Sequence, residues 1–220
     1  MARNLMKAYE IMLKAYGKQH WWPANNGLQP KGWEVCVGAV LTQNTSWSNV
    51  ERALSNLSKA GCLTVEDMAK MEGTRLAKLI RPAGYFNQKA ERLKNFAEFV
   101  SSFGSFGDFK NRITREELLK IKGIGEETTD SMLLYACGRT EFVVDAYTGR
   151  VFERLGFLKG DESYNWVKVL FEKNLPKNER LFNEYHALIV RHAKDVCRKK
   201  PLCSCCCLRD MCSYPKSGKV

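Results

Sequence analysis

Helical spacing dominates this chain and leaves almost no room for a sheet. Leu5, Tyr9, Met12, Leu13 and Tyr16 recur as one helical stripe that ends near Gly17, with the charged residues largely on the other side. Trp47, Val50, Leu54 and Leu57 repeat the pattern before a stop at Gly61. Glu34 to Leu41 predicts a buried helix, and further helices are predicted over 64–71, 74–80, 87–103, 114–120, 126–137, 144–155, 162–174 and 178–196. Only Phe142 to Val144 prefers an extended conformation, and so short a stretch cannot found a sheet. The expected fold class is all-α. With 220 residues, 45% of them hydrophobic, the chain can bury a core in one compact unit or two small lobes, which argues against general disorder. No internal repeat or low-complexity tract occurs, and Lys216 to Val220 reads as a loose tail.

Charge narrows the choice of partner. Lysine and arginine number 35 against 24 acidic residues, a net charge of +11, which points to a polyanion: nucleic acid first, an acidic membrane surface second. The longest apolar run, Val35 to Leu41, is far shorter than the roughly 20 residues of a spanning helix. The first residues are broken by Lys7, Glu10 and Lys14 and lack the apolar core and cleavage site of a signal peptide. A protein of the reducing cytosol is expected.

Nine cysteines fit that compartment only if they do something other than form disulfides. Cys36, Cys62 and Cys137 are scattered, whereas six lie between Cys197 and Cys212. Cys197, Cys203, Cys206 and Cys212 are spaced C-x5-C-x2-C-x5-C, and four thiolates on a short loop can surround a soft metal centre. Zinc sites usually pair two short knuckles. A single C-x2-C between two longer gaps suits a [4Fe–4S] cube better, with zinc as the competitor. Cys205 and Cys207 read as spare thiols. The cysteines sit in a basic patch: from Arg191 to Val220 eight lysines and arginines face two aspartates.

Two further elements carry chemistry. Leu118 to Thr129 joins two predicted helices through Gly123-Ile124-Gly125, where glycines permit a tight turn and the following amides can point at a phosphate oxygen. Beyond it, Phe142-Val143-Val144-Asp145 places a carboxylate at the start of a helix, where an aspartate is most often a simple N-cap.

The order hairpin, V-V-D, then C-x5-C-x2-C-x5-C resembles the endonuclease III branch of the helix–hairpin–helix DNA glycosylases, over about residues 30 to 214. The resemblance implies two α-helical lobes with a DNA cleft between them. One is a six-helix barrel over 31–137, with the helix–hairpin–helix at about 118–137; the other, 1–30 with 138–220, carries the cluster and the catalytic aspartate. It also implies that Asp145 is the catalytic carboxylate, that Gly123 and Gly125 bind the DNA backbone, and that Arg198, Lys199 and Lys200 of the cluster loop contact phosphates. The implied partner is double-stranded DNA containing a damaged base, met by a monomer in the cytoplasm or on the nucleoid.

Bifunctional members of this family carry an imine-forming lysine two positions after the second hairpin glycine; here that residue is Glu127, and a carboxylate cannot form the imine. The resemblance thus implies a monofunctional glycosylase that leaves an abasic site. His20-Trp21-Trp22-Pro23, Thr42-Gln43-Asn44-Thr45 and Arg81-Pro82-Ala83-Gly84-Tyr85-Phe86-Asn87-Gln88-Lys89-Ala90 look like the 3-methyladenine DNA glycosylases of the family, some of which lack the cluster cysteines. N3-alkylation makes the purine cationic, so an electron-rich slot can favour it by stacking and cation–π attraction. Trp21, Trp22 and Trp47, with Pro23, are the expected base pocket. By the same resemblance Gln43 fills the gap left by the flipped nucleotide and Tyr85 wedges the opposite strand. Two alternatives stand beside this reading: a uracil/thymine-mismatch or oxidised-pyrimidine glycosylase, and a non-catalytic iron–sulfur DNA-binding protein.

Overall fold

In the computed structural model, which describes residues 2–217, every regular element is helical and no strand occurs among the described residues. Of the tail expected from Lys216 onward, 218–220 lie outside the described residues. Contacts divide the chain into two units: one runs from Trp22 to Arg139, the other joins the chain up to Trp21 to the chain from Thr140 onward.

Helix α1 (Ala2–Tyr16) opens the second of these units. The Trp22–Arg139 unit then holds α2 (Lys31–Thr42), α3 (Trp47–Lys59), α4 (Val65–Lys70), α5 (Gly73–Leu79), α6 (Phe86–Ser101), α7 (Phe106–Arg112), α8 (Arg115–Leu119) and α9 (Glu126–Ser131). Helices α10 (Ala146–Leu155), α11 (Tyr164–Asn174) and α12 (Glu179–Asp195) complete the other unit.

Local chemistry sets most of these boundaries. Thr64 with Asp67, and Thr114 with Glu117, form reciprocal capping boxes that start α4 and α8. Helix α7 falls between the predicted helices 87–103 and 114–120. Gly107 and a single buried side chain, Phe109, give it almost no apolar periodicity; it starts where the Ser105 hydroxyl accepts from the Asp108 amide at 3.0 Å. The predicted helix 126–137 is α-helical only to Ser131 and continues as a π-helix over Met132–Ala136. The strand-preferring stretch is extended but pairs with side chains instead of a sheet. The Phe142 amide donates to Glu172 Oε1 at 2.9 Å and the Val144 amide to the Tyr164 hydroxyl at 3.4 Å.

Each unit has an aromatic centre. In the Trp22–Arg139 unit, buried Trp33 lies flat on Phe96 at 5.6 Å, and Phe109 meets Phe96 edge-on at 5.8 Å. In the other, Phe142 stacks on Phe171 at 4.1 Å with Phe182 and Tyr185 edge-on, and the Tyr185 hydroxyl donates to Leu5 O at 2.7 Å, tying α12 to α1. Burial of each such ring contributes roughly 1.5–3 kcal/mol.

The two helices of the hairpin are clamped by charge. Arg115 at the start of α8 grips Asp130 of α9 with two hydrogen bonds, Nε to Oδ1 at 2.8 Å and Nη2 to Oδ2 at 3.1 Å, and the Asp130 side chain is fully buried. Removing one partner of a buried pair costs about 3–5 kcal/mol. Arg115→Ala is expected to lower the urea midpoint correspondingly, with Arg115→Lys in between; an unchanged midpoint for the alanine variant would show that the clamp adds nothing.

Candidate active site

Asp145 is the N-cap of α10. Its Oδ1 accepts from the Thr148 amide at 2.7 Å and the Thr148 hydroxyl at 2.9 Å, a D-x-x-T pattern readable in the sequence once the helix start is known. The simple N-cap reading is therefore correct for one oxygen and silent about the other. Oδ2 faces His186 Nε2 of α12 at 3.5 Å. Burial pushes the Asp145 carboxyl up, but His186 and the two Thr148 donors outweigh it and hold it below its ordinary value. Trp21 belongs to this unit and packs its ring on His186, centroids 5.7 Å apart. Nothing in the sequence spacing links His186 to Asp145, 41 positions earlier in the chain.

The remainder of α10 holds the cysteine loop. Arg150 donates to Cys197 O at 2.9 Å and Ala193 O at 3.0 Å; Arg154 donates to Arg198 O at 2.6 Å, Lys199 O at 3.0 Å and Cys197 Sγ at 3.3 Å. The side chains of Arg198, Lys199 and Lys200 are exposed. Neither arginine carries a sequence signal for this task. Cys197, Cys203, Cys206 and Cys212 line one cavity that Cys205 and Cys207 do not line. Among the described residues, however, no group of three potential ligands closes on a single-ion site. Burial, opposed by the Leu208 amide and reinforced by the neighbouring Cys207, Cys197 and Cys212, pushes the Cys206 thiol up to about 11, so holding it as a thiolate calls for a cation beside it. His192 Nε2 lies 3.7 Å from Cys206 Sγ, and its Nδ1 is 2.7 Å from the Tyr16 hydroxyl, which Cys207 Sγ meets at 3.8 Å. The N–H groups of Arg154 and His192 are the donors that metal-bound sulfurs accept, so the residues present fit the cluster.

The Trp22–Arg139 unit carries the remaining candidates. Gly123 has φ +87°, and a Cβ there would collide with Arg92; Gly125 has an extended backbone with nothing near a Cβ. Within the chain itself, only Gly123 is held to glycine by its backbone conformation. Gln43 Nε2 donates to Gly123 O at 3.1 Å and Thr128 Oγ1 at 3.0 Å, while Arg92 donates to Gln43 Oε1, so the hairpin and Gln43 form one network. Arg92 was not anticipated. Tyr85 is 67% exposed with φ +45°, a strained conformation for a non-glycine residue. Behind it, buried Lys89 donates to Leu41 O at 2.9 Å and Ala83 O at 2.8 Å, joining the end of α2 to the 81–83 turn. Burial, aided by Arg92, lowers the Lys89 ammonium to about 8. Trp22 meets Trp47 edge-on at 5.3 Å and Tyr135 of the π-helix at 5.3 Å, so the structure brings together two of the three expected pocket tryptophans in this unit. Pro23 follows in the same connector.

Residues 37–177 match the HhH-GPD superfamily of base excision DNA repair proteins, and the chain belongs to that superfamily as a DNA glycosylase. Within it the relationship is to the endonuclease III family: endonuclease III of Sulfolobus acidocaldarius is 31% identical over 81% of this chain and 80% of its own length. A Methanocaldococcus jannaschii protein provisionally named a DNA repair glycosylase is 48% identical over 94% of this chain and 95% of its own. Among solved structures, the H. pylori 3-methyladenine DNA glycosylase MagIII bound to 1,N6-ethenoadenine is 32% identical with a TM-score of 0.75, covering 88% of this chain and 97% of that one. A non-covalent endonuclease III–DNA complex matches the fold with a TM-score of 0.82 at 21% identity, covering 99% of this chain and 97% of that one. No helix among the described residues is long and apolar enough to cross a membrane.

Proposed function

We propose that this chain is a monofunctional glycosylase that flips an alkylated purine of the 3-methyladenine class out of duplex DNA and hydrolyses its glycosidic bond, leaving an abasic site. The observation that carries the substrate is the aromatic group of Trp22, Trp47 and Tyr135 beside a W-W-P string, in a chain 32% identical to a 3-methyladenine glycosylase. An alkylated purine is already a cationic leaving group, so the enzyme's task is to stack the base and to stabilise the positive charge that grows on the sugar. Trp21 and Pro23 complete the proposed pocket. Asp145 supplies the carboxylate, with Oδ2 as the oxygen not consumed by the helix cap, and orients or deprotonates the attacking water.

Gln43 and Tyr85 are proposed to occupy the space opened by the flipped nucleotide and to wedge the opposite strand. The Gly123 to Gly125 hairpin and exposed Arg198, Lys199 and Lys200 bind phosphates. The four cysteines Cys197, Cys203, Cys206 and Cys212 are proposed to hold a [4Fe–4S] cluster; they line one cavity, and their single C-x2-C between two longer gaps suits a cube better than zinc. When bound, the cluster supplies order to a loop with little apolar content. Lys120 and Lys122 precede the hairpin turn and Glu127 follows it, which supports hydrolysis over lyase chemistry. The enzyme is proposed to act as a monomer in the cytoplasm or on the nucleoid.

The test is chromatography of bases released from methylated duplex DNA, run beside duplexes containing a G·T or G·U mismatch or an oxidised pyrimidine, each with a borohydride-trapping arm. Release of 3-methyladenine without a trapped adduct is expected. Release confined to a mismatch or oxidised-base duplex would move the substrate, a trapped adduct would overturn the monofunctional reading, and binding with no release anywhere would leave a DNA-binding protein.

A further inference from the structure

We infer that His186 is a positioning residue for base release, holding Asp145 Oδ2 in its working orientation by an Nε2–H donation, with Trp21 as the wall that fixes the imidazole. The inference rests on the reading of Asp145 as the catalytic carboxylate and adds to it a division of labour between the two carboxylate oxygens.

Capping α10 needs only Oδ1, which the Thr148 amide and hydroxyl occupy at 2.7 and 2.9 Å. Nothing about an N-cap requires a second polar group at Oδ2, yet there His186 Nε2 stands at 3.5 Å. Both side chains are largely removed from water, 6% exposed for His186 and 11% for Asp145, so the contact is made where the dielectric is low and a donor counts for more than it would at the surface. His186 comes from the buried face of α12 that also carries Phe182, Tyr185 and Ile189. Its ring cannot swing freely, because Trp21 packs against it at 5.7 Å and 48°. At 3.5 Å the contact is longer than a formed hydrogen bond, as is common for catalytic contacts that tighten only around substrate. Once tightened, it would restrain rotation about the Cβ–Cγ bond of Asp145 from the side opposite Thr148, and Oδ2 would keep a lone pair for water or the sugar. His186 would touch neither the base nor the sugar; its effect on the rate passes through Asp145.

The experiment is single-turnover base release under saturating enzyme, on the duplex that the wild type turns over, for Asp145→Asn, His186→Ala, His186→Gln and the Asp145→Asn/His186→Ala double variant, with duplex affinity measured by gel shift. Loss of a hydrogen bond to a charged group predicts a rate about 10–100-fold lower for His186→Ala, with duplex affinity within about twofold of wild type. His186→Gln, which keeps an N–H donor, should recover most of the rate. The double variant should be no slower than Asp145→Asn alone, since a residue acting through Asp145 has nothing left to position; a merely structural defect would slow both backgrounds alike. If the alanine variant fails to fold, His186→Leu, which fills the space without a donor, takes its place in the cycle. A wild-type rate for His186→Ala, or equal slowing in both backgrounds, overturns the inference while Asp145→Asn remains inactive. An Asp145→Asn protein as fast as wild type, or a wild type that releases no base from any duplex, overturns the reading of Asp145 and the inference together.

Discussion

Asp145→Asn is expected to lower the single-turnover rate of base release by about 10²–10⁴-fold, with duplex affinity changed no more than severalfold. The amide fills the same space, and its Oδ1 can still accept from Thr148, so α10 keeps its cap. What disappears is the negative charge opposite the positive charge on the sugar. The result would separate the two duties of this residue, because the loss of turnover should far exceed what the modest loss of thermal stability accounts for. Acid should do little until the fold itself gives way. The folded carboxyl lies below its ordinary value of 3.8, so the ionised form stabilises the protein above that value and the contribution is lost only as pH falls through the lower, folded one. A rate that stays level from pH 7 to pH 5 fits this sign; an Asp145-dependent acid limb near pH 6, absent from Asp145→Asn, would contradict it.

Cys206→Ala is expected to abolish bound iron and acid-labile sulfide and to disorder the loop between Cys197 and Cys212, with a stability loss of at least several kcal/mol, given that metal binding in such loops is folding energy. Cys206 sits where burial and three neighbouring thiols already disfavour a bare thiolate. Loss of the loop would also scatter Arg198, Lys199 and Lys200. Each phosphate contact contributes about 0.9 to the slope of log affinity against log salt, so the slope should fall by up to about 3. Cys205→Ala, outside the cavity lining, should keep the iron and the slope. Stoichiometric zinc in the wild type, or full iron content in Cys206→Ala, would overturn the proposed cluster.

Much of this arrangement was legible in the residues, and the exceptions have physical reasons. The α1 stripe and the amphipathic α3 follow from periodicity, because a helix that buries one face must write that face into its sequence. Helix α7 did not follow, since it buries little beyond Phe109 and is started by a cap instead of a stripe. The hairpin was visible through its glycines, but within the chain itself only Gly123 is held to glycine: the collision with Arg92 lies 31 positions away along the chain and leaves no local mark. The same limit applies to His186, Arg150 and Arg154. Each contributes a polar contact across tertiary space, and a lone histidine or a pair of arginines on a helix looks the same whether it faces water or a partner. Lys89 illustrates the reverse case: it stands inside the R-P-x-G-x-x-N-Q-K-A string that suggested the substrate class, yet in the fold its ammonium ties two backbone carbonyls together.

Helix α10 spans only about 15 Å, ten residues at 1.5 Å each, and it has a different obligation at each end. Its N-terminus presents Asp145; from its middle and its far end, Arg150 and Arg154 grasp backbone carbonyls of Ala193 in α12 and of Cys197, Arg198 and Lys199 in the cysteine loop. The two guanidiniums need those carbonyls as much as the loop needs them. A descendant of this chain that discarded its cysteines would therefore have to keep the carbonyls of the loop in place by other means, or replace Arg154, for the helix that carries the carboxylate to stay anchored.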